Sequence, residues 1–290
     1  MTAFNISSAK NYLSLVKFSH TVFAMPFALS GFFLAYYLTD TPFSWRLLVL
    51  VLFCMVFARN AAMSFNRVVD RFIDKRNPRT ASREIPAGKV TPRSAMLFTI
   101  LNSVLFVVAA YQINLLTFLL APVALLVILG YSYTKRFTVL CHLVLGLGLA
   151  LAPLGAYLSV TGKFHIIPVM YSILVLLWVS GFDIIYSLQD EEFDKNEMLR
   201  SIPAYFGRRK SMWIANTLHF LAVLALVYIG FAQQSGLFFW VGASAFIALL
   251  FYQHIIISPK DISRVNVAFG TLNGVASIIF TVFNIISFYY

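Results

Sequence analysis

Two short stretches of this chain carry side chains of the right type and spacing for chemistry. One reads Asn66-Arg-Val-Val-Asp70-Arg-Phe-Ile-Asp74, the other Asp183-Ile-Ile-Tyr186-Ser-Leu-Gln-Asp190-Glu-Glu-Phe-Asp194. Both set oxygen ligands at every fourth residue, at the end of a long apolar segment. On a helix, residues four apart lie one above another. Only 11 of 290 residues are Asp or Glu, so five Asp in two such patterns are too concentrated for an ordinary solvated face. Oxygen-only ligand sets with water nearby suit Mg²⁺, which takes one or two carboxylates and completes its shell with water and phosphate oxygens. The spacing predicts two metal-diphosphate half-sites at a membrane surface, with Asn66, Asp70, Asp74, Asp190 and Asp194 as metal ligands.

Within the first stretch, Asn66 and Asp74 are about 12 Å apart along a helix axis, so one ion cannot reach all three ligands. Adjacent pairs can each hold an ion or flank a bridging phosphate. Asp183 and Tyr186 lie one to two turns deeper than Asp190, where a carboxylate is costly and a functional role is the default. Arg59 falls inside an apolar run, two turns before Asn66, and an intramembrane Arg needs an anionic partner. A diphosphate and a carboxylate are both candidates. Arg67, Arg71, Lys135 and Arg136 stand at helix ends and can donate to phosphate oxygens, Arg bidentately. Tyr131-Ser-Tyr133-Thr-Lys135-Arg136 brings phenolic hydroxyls to the same place, and Tyr133 joins the candidate substrate-binding residues.

The elements that must position these groups are membrane helices. The chain is 60% hydrophobic and 11% charged, far from the balance of a soluble domain. About 20 apolar residues cross a bilayer as a helix. Nine runs qualify: 12–37, 46–66, 94–111, 115–133, 139–160, 166–187, 212–232, 237–257 and 265–288. They are continuously apolar rather than alternating, which excludes a β-barrel. The first run is too long for a cleavable signal peptide, and its start holds Asn11 and Tyr12. The fold class is therefore an all-α integral membrane protein, a bundle of nine transmembrane helices.

The net charge of +11 is a matter of topology and not of nucleic-acid binding. With the N-terminus inside, the outer connections carry only Arg46 and Lys163, and nearly every other Lys and Arg falls on inner segments. That is the positive-inside pattern. It puts both acidic stretches on the cytoplasmic side. Cys54 and Cys141 sit in separate apolar segments with no metal or redox spacing.

Residues 1–290 read as one membrane domain with two long inner loops, about 71–93 and 188–211. The loops echo each other. Asp70 and Asp74 recur as Asp190 and Asp194, and Arg83-Glu-Ile-Pro86-Ala recurs as Arg200-Ser-Ile-Pro203-Ala. A parallel repeat about an axis along the membrane normal would bring both copies to one face and make one shared site.

The run from Arg59 through Asn66, Asp70 and Asp74 to Arg83-Glu-Ile-Pro86-Ala-Gly88 resembles the UbiA superfamily of intramembrane aromatic prenyltransferases. The Asn-x-x-x-Asp-x-x-x-Asp and Asp-x-x-x-Asp signatures, the latter preceded by Asp183 and Tyr186, are both present, as is Tyr133-Thr-Lys135-Arg136-Phe-Thr138. The resemblance covers essentially the whole chain. It implies a Mg²⁺-dependent transfer from a polyprenyl diphosphate to a hydroxylated aromatic acid in membrane quinone biosynthesis, most like the 4-hydroxybenzoate polyprenyltransferases. Lys17-Phe-Ser-His20-Thr and Arg83-Glu-Ile-Pro-Ala-Gly88 resemble a bacterial subgroup that prenylates a dihydroxynaphthoate for menaquinone. In the implied mechanism, Asp70, Asp74, Asp190 and Asp194 hold the metals. Asp183 is proton acceptor or orienter for the phenol, and Arg59 binds the acceptor's carboxylate or the diphosphate. One departure stands out: Glu197-Met198 replaces the Ile-Gly common in relatives shortly after the last Asp.

A rival of another class is a divalent-cation or proton transporter, whose intramembrane acids line a pathway. Four of the five Asp lie at inner helix ends instead of the midplane, which disfavours it. His20 is a weak acceptor-site candidate. Gly146, Gly148, Ala150, Ala152 and Gly155 read as a close-packing stripe, Pro26 and Pro153 as kinks, and Asn273-Gly274 as an interruption of the last span.

Overall fold

The computed structural model describes residues 6–16 and 25–290; Lys17, His20 and part of the first predicted span lie outside them. Every regular element among the described residues is helical. The order is α1 (Ile6–Leu15), α2 (Met25–Tyr37), α3 (Trp45–Val69), α4 (Arg71–Arg76), α5 (Pro92–Tyr111) and α6 (Leu115–Thr134). It continues with α7 (Cys141–Thr161), α8 (Ile166–Ser187), α9 (Glu191–Asn196), α10 (Ile202–Ala232), α11 (Leu237–Ile256) and α12 (Asn273–Ile286). A 3₁₀ turn, Leu188–Asp190, joins α8 to α9, and a π-helical turn, Val267–Leu272, leads into α12. Among the described residues eight helices are long and apolar enough to cross a membrane, and α2 is a shorter apolar helix.

Side chains start these helices where the first N–H groups lack intrahelical acceptors. Ser44, Thr91, Asn114 and Ser201 each accept from a backbone N–H three residues on, as N-caps do. Pro26 is buried in α2, next to residues outside the described range. The long loops are partly helical, with α4 and α9 inside them. α10 begins at Ile202, well before the predicted 212, and bends at Gly207, whose φ of 73° suits a residue without Cβ.

α7 packs against α2, α6 and α8, while α8 packs also on α10, α3 on α5, and α11 on α12. Lipid tails are as apolar as leucine, so such contacts depend on close packing more than on a hydrophobic gain. A Cβ on Gly146 would lie 2.3 Å from Ser180 Oγ and 2.6 Å from Leu176 O; this glycine sets the α7–α8 approach. The rest of the small-residue stripe does something else. Gly148, Ala152 and Gly155 line a cavity, where missing side chains leave room. Phe27, Trp178, Phe246 and Phe280 fill the neighbouring core with ring-to-ring contacts. Trp178 Nε1 donates to Asn273 Oδ1 at 3.0 Å, so Asn273 serves this core while the adjacent π turn carries Phe269 to the cavity.

Candidate active site

The two acidic stretches fold alike. α3 ends at Asp70 (φ −90°, ψ 5°), which starts the six-residue α4. α8 ends through the 3₁₀ turn at Asp190 (φ −100°, ψ 3°), which starts the six-residue α9. Each span thus breaks at its middle aspartate and resumes as one short helix carrying the next, Asp74 or Asp194. Asp70 keeps its neighbour Asn66 at hand, whose Nδ2 donates to Asp70 Oδ2 at 2.9 Å.

Cations bind the two corners to each other. Arg79, just past the first, grips Asp190 of the second with Nε to Oδ1 at 3.0 Å and Nη2 to Oδ2 at 2.5 Å; Asn77 Nδ2 adds a bond to Oδ1 at 3.0 Å. Lys135 Nζ lies 2.7 Å from Asp194 Oδ1, and Arg136 Nη2 lies 3.2 Å from Asp70 Oδ1. These consecutive residues after α6 thus hold one acid of each corner. Arg83 Nη1 reaches Asp74 Oδ1 at 2.6 Å, and Ser201 Oγ donates to Asp194 Oδ2 at 2.8 Å. At the rim, Arg76 forms a two-pronged pair with Glu197 at 2.8 and 2.6 Å. Glu197 therefore adds a clasp between the loops, and Met198 sits at φ 54°, a backbone conformation that favours glycine.

Mutual proximity sets the proton affinities. Burial, then the charge of Asp74, pushes the Asp70 carboxyl above the usual carboxylate range, against the pull of Arg136 and Lys135. Burial alone would lower Arg79 and Lys135. The hydrogen bond and charge of Asp190 for Arg79, and the charge and hydrogen bond of Asp194 for Lys135, outweigh it and hold both above their ordinary values. Both stay cationic, ready for an anion.

Behind the corners lies a cavity of about 490 Å³. Its polar end is lined by Arg59, Asn66, Arg67, Tyr131, Asp183 and Tyr186; an apolar channel runs on between α3, α6 and α7 past Cys54, Leu120, Leu149 and Phe164. The arrangement suits an amphiphile with an anionic head and a long hydrocarbon tail. Arg59 and Arg67 have no ion pair among the described residues, and the Nε of each is buried without a hydrogen-bond acceptor. Asp183 Oδ2 is 2.6 Å from His142 Nδ1.

Comparison with known proteins gives the family and the fold. The UbiA prenyltransferase family profile matches residues 24–281. The chain belongs to the UbiA prenyltransferase family. It is 30% identical over 240 residues, 82% of this chain and 83% of the relative, to a protein of Aeromonas hydrophila subsp. hydrophila named 4-hydroxybenzoate octaprenyltransferase. The apo UbiA homolog from Aeropyrum pernix K1 superposes with a TM-score of 0.83 at 30% identity, covering 92% of this chain and 97% of that one. A UbiA homolog from Archaeoglobus fulgidus bound to GPP and Mg²⁺ has a TM-score of 0.74 at 23% identity, covering 97% of this chain and 100% of that one, and is a likeness of fold.

Of the residues singled out in the sequence, Asn66, Asp70, Asp74, Asp190, Asp194, Lys135 and Arg136 meet at the corners. Arg59, Arg67, Asp183 and Tyr186 line the cavity, and the Tyr186 hydroxyl accepts from Arg79 Nη1 at 3.1 Å. Two residues lie elsewhere. Arg71 Nη1 donates to Val68 O at 2.6 Å and its guanidinium covers the Phe72 ring, so it closes the end of α3. Tyr133 is exposed, packs on Phe65 and carries the Arg136 guanidinium over its ring, off the cavity. Tyr131, half a turn away on α6, is the tyrosine on the cavity. Sequence reasoning missed Arg79, Asn77, Arg83, Ser201 and His142 as site residues. The doubled Arg-x-Ile-Pro-Ala phrase was the available signal for Arg83, but its counterpart Arg200 donates to Phe137 O and Ser201 serves Asp194 instead.

The Mg²⁺ that the family implies fits these residues. No three acidic, His or Cys side chains converge among the described residues, so an ion must draw part of its shell from phosphate and water, as Mg²⁺ prefers. Asp74, 4% exposed, has its Oδ2 buried without a hydrogen-bond donor. An orphaned carboxylate oxygen one turn from Asp70 is a position for a hard cation.

Proposed function

We propose that the protein catalyses Mg²⁺-dependent transfer of a polyprenyl group from a polyprenyl diphosphate to a hydroxylated aromatic acid of the 4-hydroxybenzoate type, in membrane quinone biosynthesis. The aromatic-acid acceptor rests on Arg59. This guanidinium lines the cavity, within a crossing helix, without a counter-ion among the described residues, and shares the space with Asp183. A buried unpaired cation calls for an anionic ligand, and a carboxylate matches its planar fork. Relatives named 4-hydroxybenzoate octaprenyltransferase support the same acceptor.

Asn66, Asp70, Asp74, Asp190 and Asp194 would hold Mg²⁺, which when bound supplies charge neutralisation to the leaving diphosphate. The diphosphate enters between the corners, where Lys135, Arg136, Arg79 and Arg83 donate to its oxygens. The allylic C–O bond breaks and its electron pair leaves with the diphosphate. The apolar walls keep water from the carbocation, and the faces of Phe182, Phe269 and Tyr186, all on the cavity, stabilise its charge. Arg59 holds the acceptor's carboxylate while Asp183 accepts the phenolic proton through Oδ1. The ring carbon beside that oxygen attacks and the C–C bond forms. The ring proton then leaves to the freed diphosphate, and Asp183 returns its proton to the oxygen. Aromaticity is restored and the charges balance.

Residues 1–290 act as one domain in a bacterial inner membrane, N-terminus inside and corners facing the cytoplasm, on the positive-inside imbalance. Purified protein given labelled polyprenyl diphosphate, Mg²⁺ and 4-hydroxybenzoate is expected to yield the prenylated acid. A dihydroxynaphthoate, with the same hydroxyl-plus-carboxylate pattern, is the rival acceptor in that assay. Failure with every aromatic acid overturns the reading, and Mg²⁺ flux into proteoliposomes without any diphosphate would favour a transporter.

A further inference from the structure

His142, on the first turn of α7, is 3% exposed and its two ring nitrogens face two different parts of the machinery. Nδ1 is 2.6 Å from Asp183 Oδ2, and Nε2 accepts the Ile202 backbone N–H at 3.4 Å. Ile202 opens α10 and is itself buried, so its N–H has no helical acceptor and needs this one. An accepting Nε2 carries no proton, which places the imidazole hydrogen on Nδ1, donating to Asp183. No described residue bonds Asp183 Oδ1, and Asp183 lines the cavity. The ring thus holds one carboxylate oxygen and leaves the other for a ligand. It also ties Asp183 to the corner, because Ser201, the residue before Ile202, donates to Asp194.

We propose that His142 is a positioning residue for prenyl transfer: it fixes Asp183 through Oδ2 so that Oδ1 meets the acceptor's hydroxyl, and it links that carboxylate to the diphosphate corner through Ser201-Ile202. The proposal rests on the aromatic-acid reading above. A buried His–carboxylate pair that orients the carboxylate is a common catalytic device; here it supports the acceptor half of the reaction, whereas the ion pairs of the corners support the donor half. His142→Leu removes the donor and frees Asp183 to turn. His142→Asn restores an N–H close to the position of Nδ1 without the ring.

The test is steady-state transfer to 4-hydroxybenzoate by purified protein in lipid nanodiscs, with thermal unfolding followed in parallel. His142→Leu should lower kcat about 100-fold, the scale of a misplaced reacting group, with the KM for polyprenyl diphosphate unchanged. His142→Asn should recover most of that loss. In an Asp183→Asn background, His142→Leu should cost little more, because residues acting through one another are not additive. Near wild-type kcat in folded His142→Leu, no recovery in folded His142→Asn, or full additivity with Asp183→Asn each overturns the proposal alone. Wild-type protein inactive on every aromatic acid overturns the acceptor reading, and the proposal with it.

Discussion

Lys135 holds the second corner together, and replacing it should separate stability from catalysis. Its ammonium lies 2.7 Å from the carboxylate of Asp194, which is 0% exposed, while Lys135 itself is 35% exposed. Removing one partner of a fully buried pair typically costs about 3–5 kcal/mol, because the other charge is left uncompensated. Two features reduce that here. Solvent already reaches the Lys135 end, and Ser201 Oγ still donates to Asp194 at 2.8 Å. Lys135→Met should therefore lose about 2–3 kcal/mol of stability. Adding Asp194→Asn removes the stranded charge and should return most of it, since a neutral pair no longer needs its partner. Transfer should respond differently. In the proposed function Lys135 donates to the leaving diphosphate, and loss of one such preorganised donor lowers kcat about 10²–10³-fold. The double variant should be as inactive as the single or worse, because it also loses a proposed metal ligand. Thermal unfolding in detergent and labelled-product assays on the three variants read both quantities. Wild-type stability in Lys135→Met, or recovered transfer in the double variant, would refute the reasoning.

Arg59→Met should raise the KM for the aromatic acid by about 10- to 100-fold, the cost of a lost charge-assisted bidentate pair, with the donor KM unchanged; a change in the donor KM alone would move Arg59 to the diphosphate. Gly146→Ala should destabilise by about 1–3 kcal/mol, because a Cβ there would meet the Leu176 backbone at 2.6 Å. Gly155→Ala should be neutral in unfolding, since nothing lies within 4 Å of the added carbon. Met198→Gly should stabilise the loop by about 1 kcal/mol by relieving a left-handed residue, readable as a raised unfolding temperature, since Met198 is 86% exposed and loses little packing.

The acids were legible in the sequence because they are rare and evenly spaced in a chain otherwise written for lipid. The crossing helices were legible for the same reason, since long apolar runs have few other uses. Their counter-ions were not. Arg79 looked like one more flanking charge among Lys75, Arg76 and Arg83, and only the turns after α4 bring it onto Asp190. Tyr133 and Tyr131 differ by two positions in the same phrase; helical phase, unreadable without knowing which face α6 presents, puts the latter on the cavity. His142 carried no signal at all, for its partner lies 41 residues away and only the α7–α8 contact brings them together. The glycines of α7 read as one packing stripe, yet they face two ways, some toward α8 and some toward the cavity. The repeat is visible in the Asp kinks and fades where Ser201, not Arg200, serves the acid.

In the proposed mechanism both aspartate corners grip a single diphosphate. Isothermal titration of a non-reactive prenyl thiodiphosphate with Mg²⁺ into wild type, Asp70→Asn, Asp190→Asn and the double variant tests this directly. One ligand should bind per chain, only when Mg²⁺ is present; each single substitution should weaken it substantially, and the two losses should not add. Wild-type affinity in either single variant, or two independent ligands per chain, would contradict a shared site.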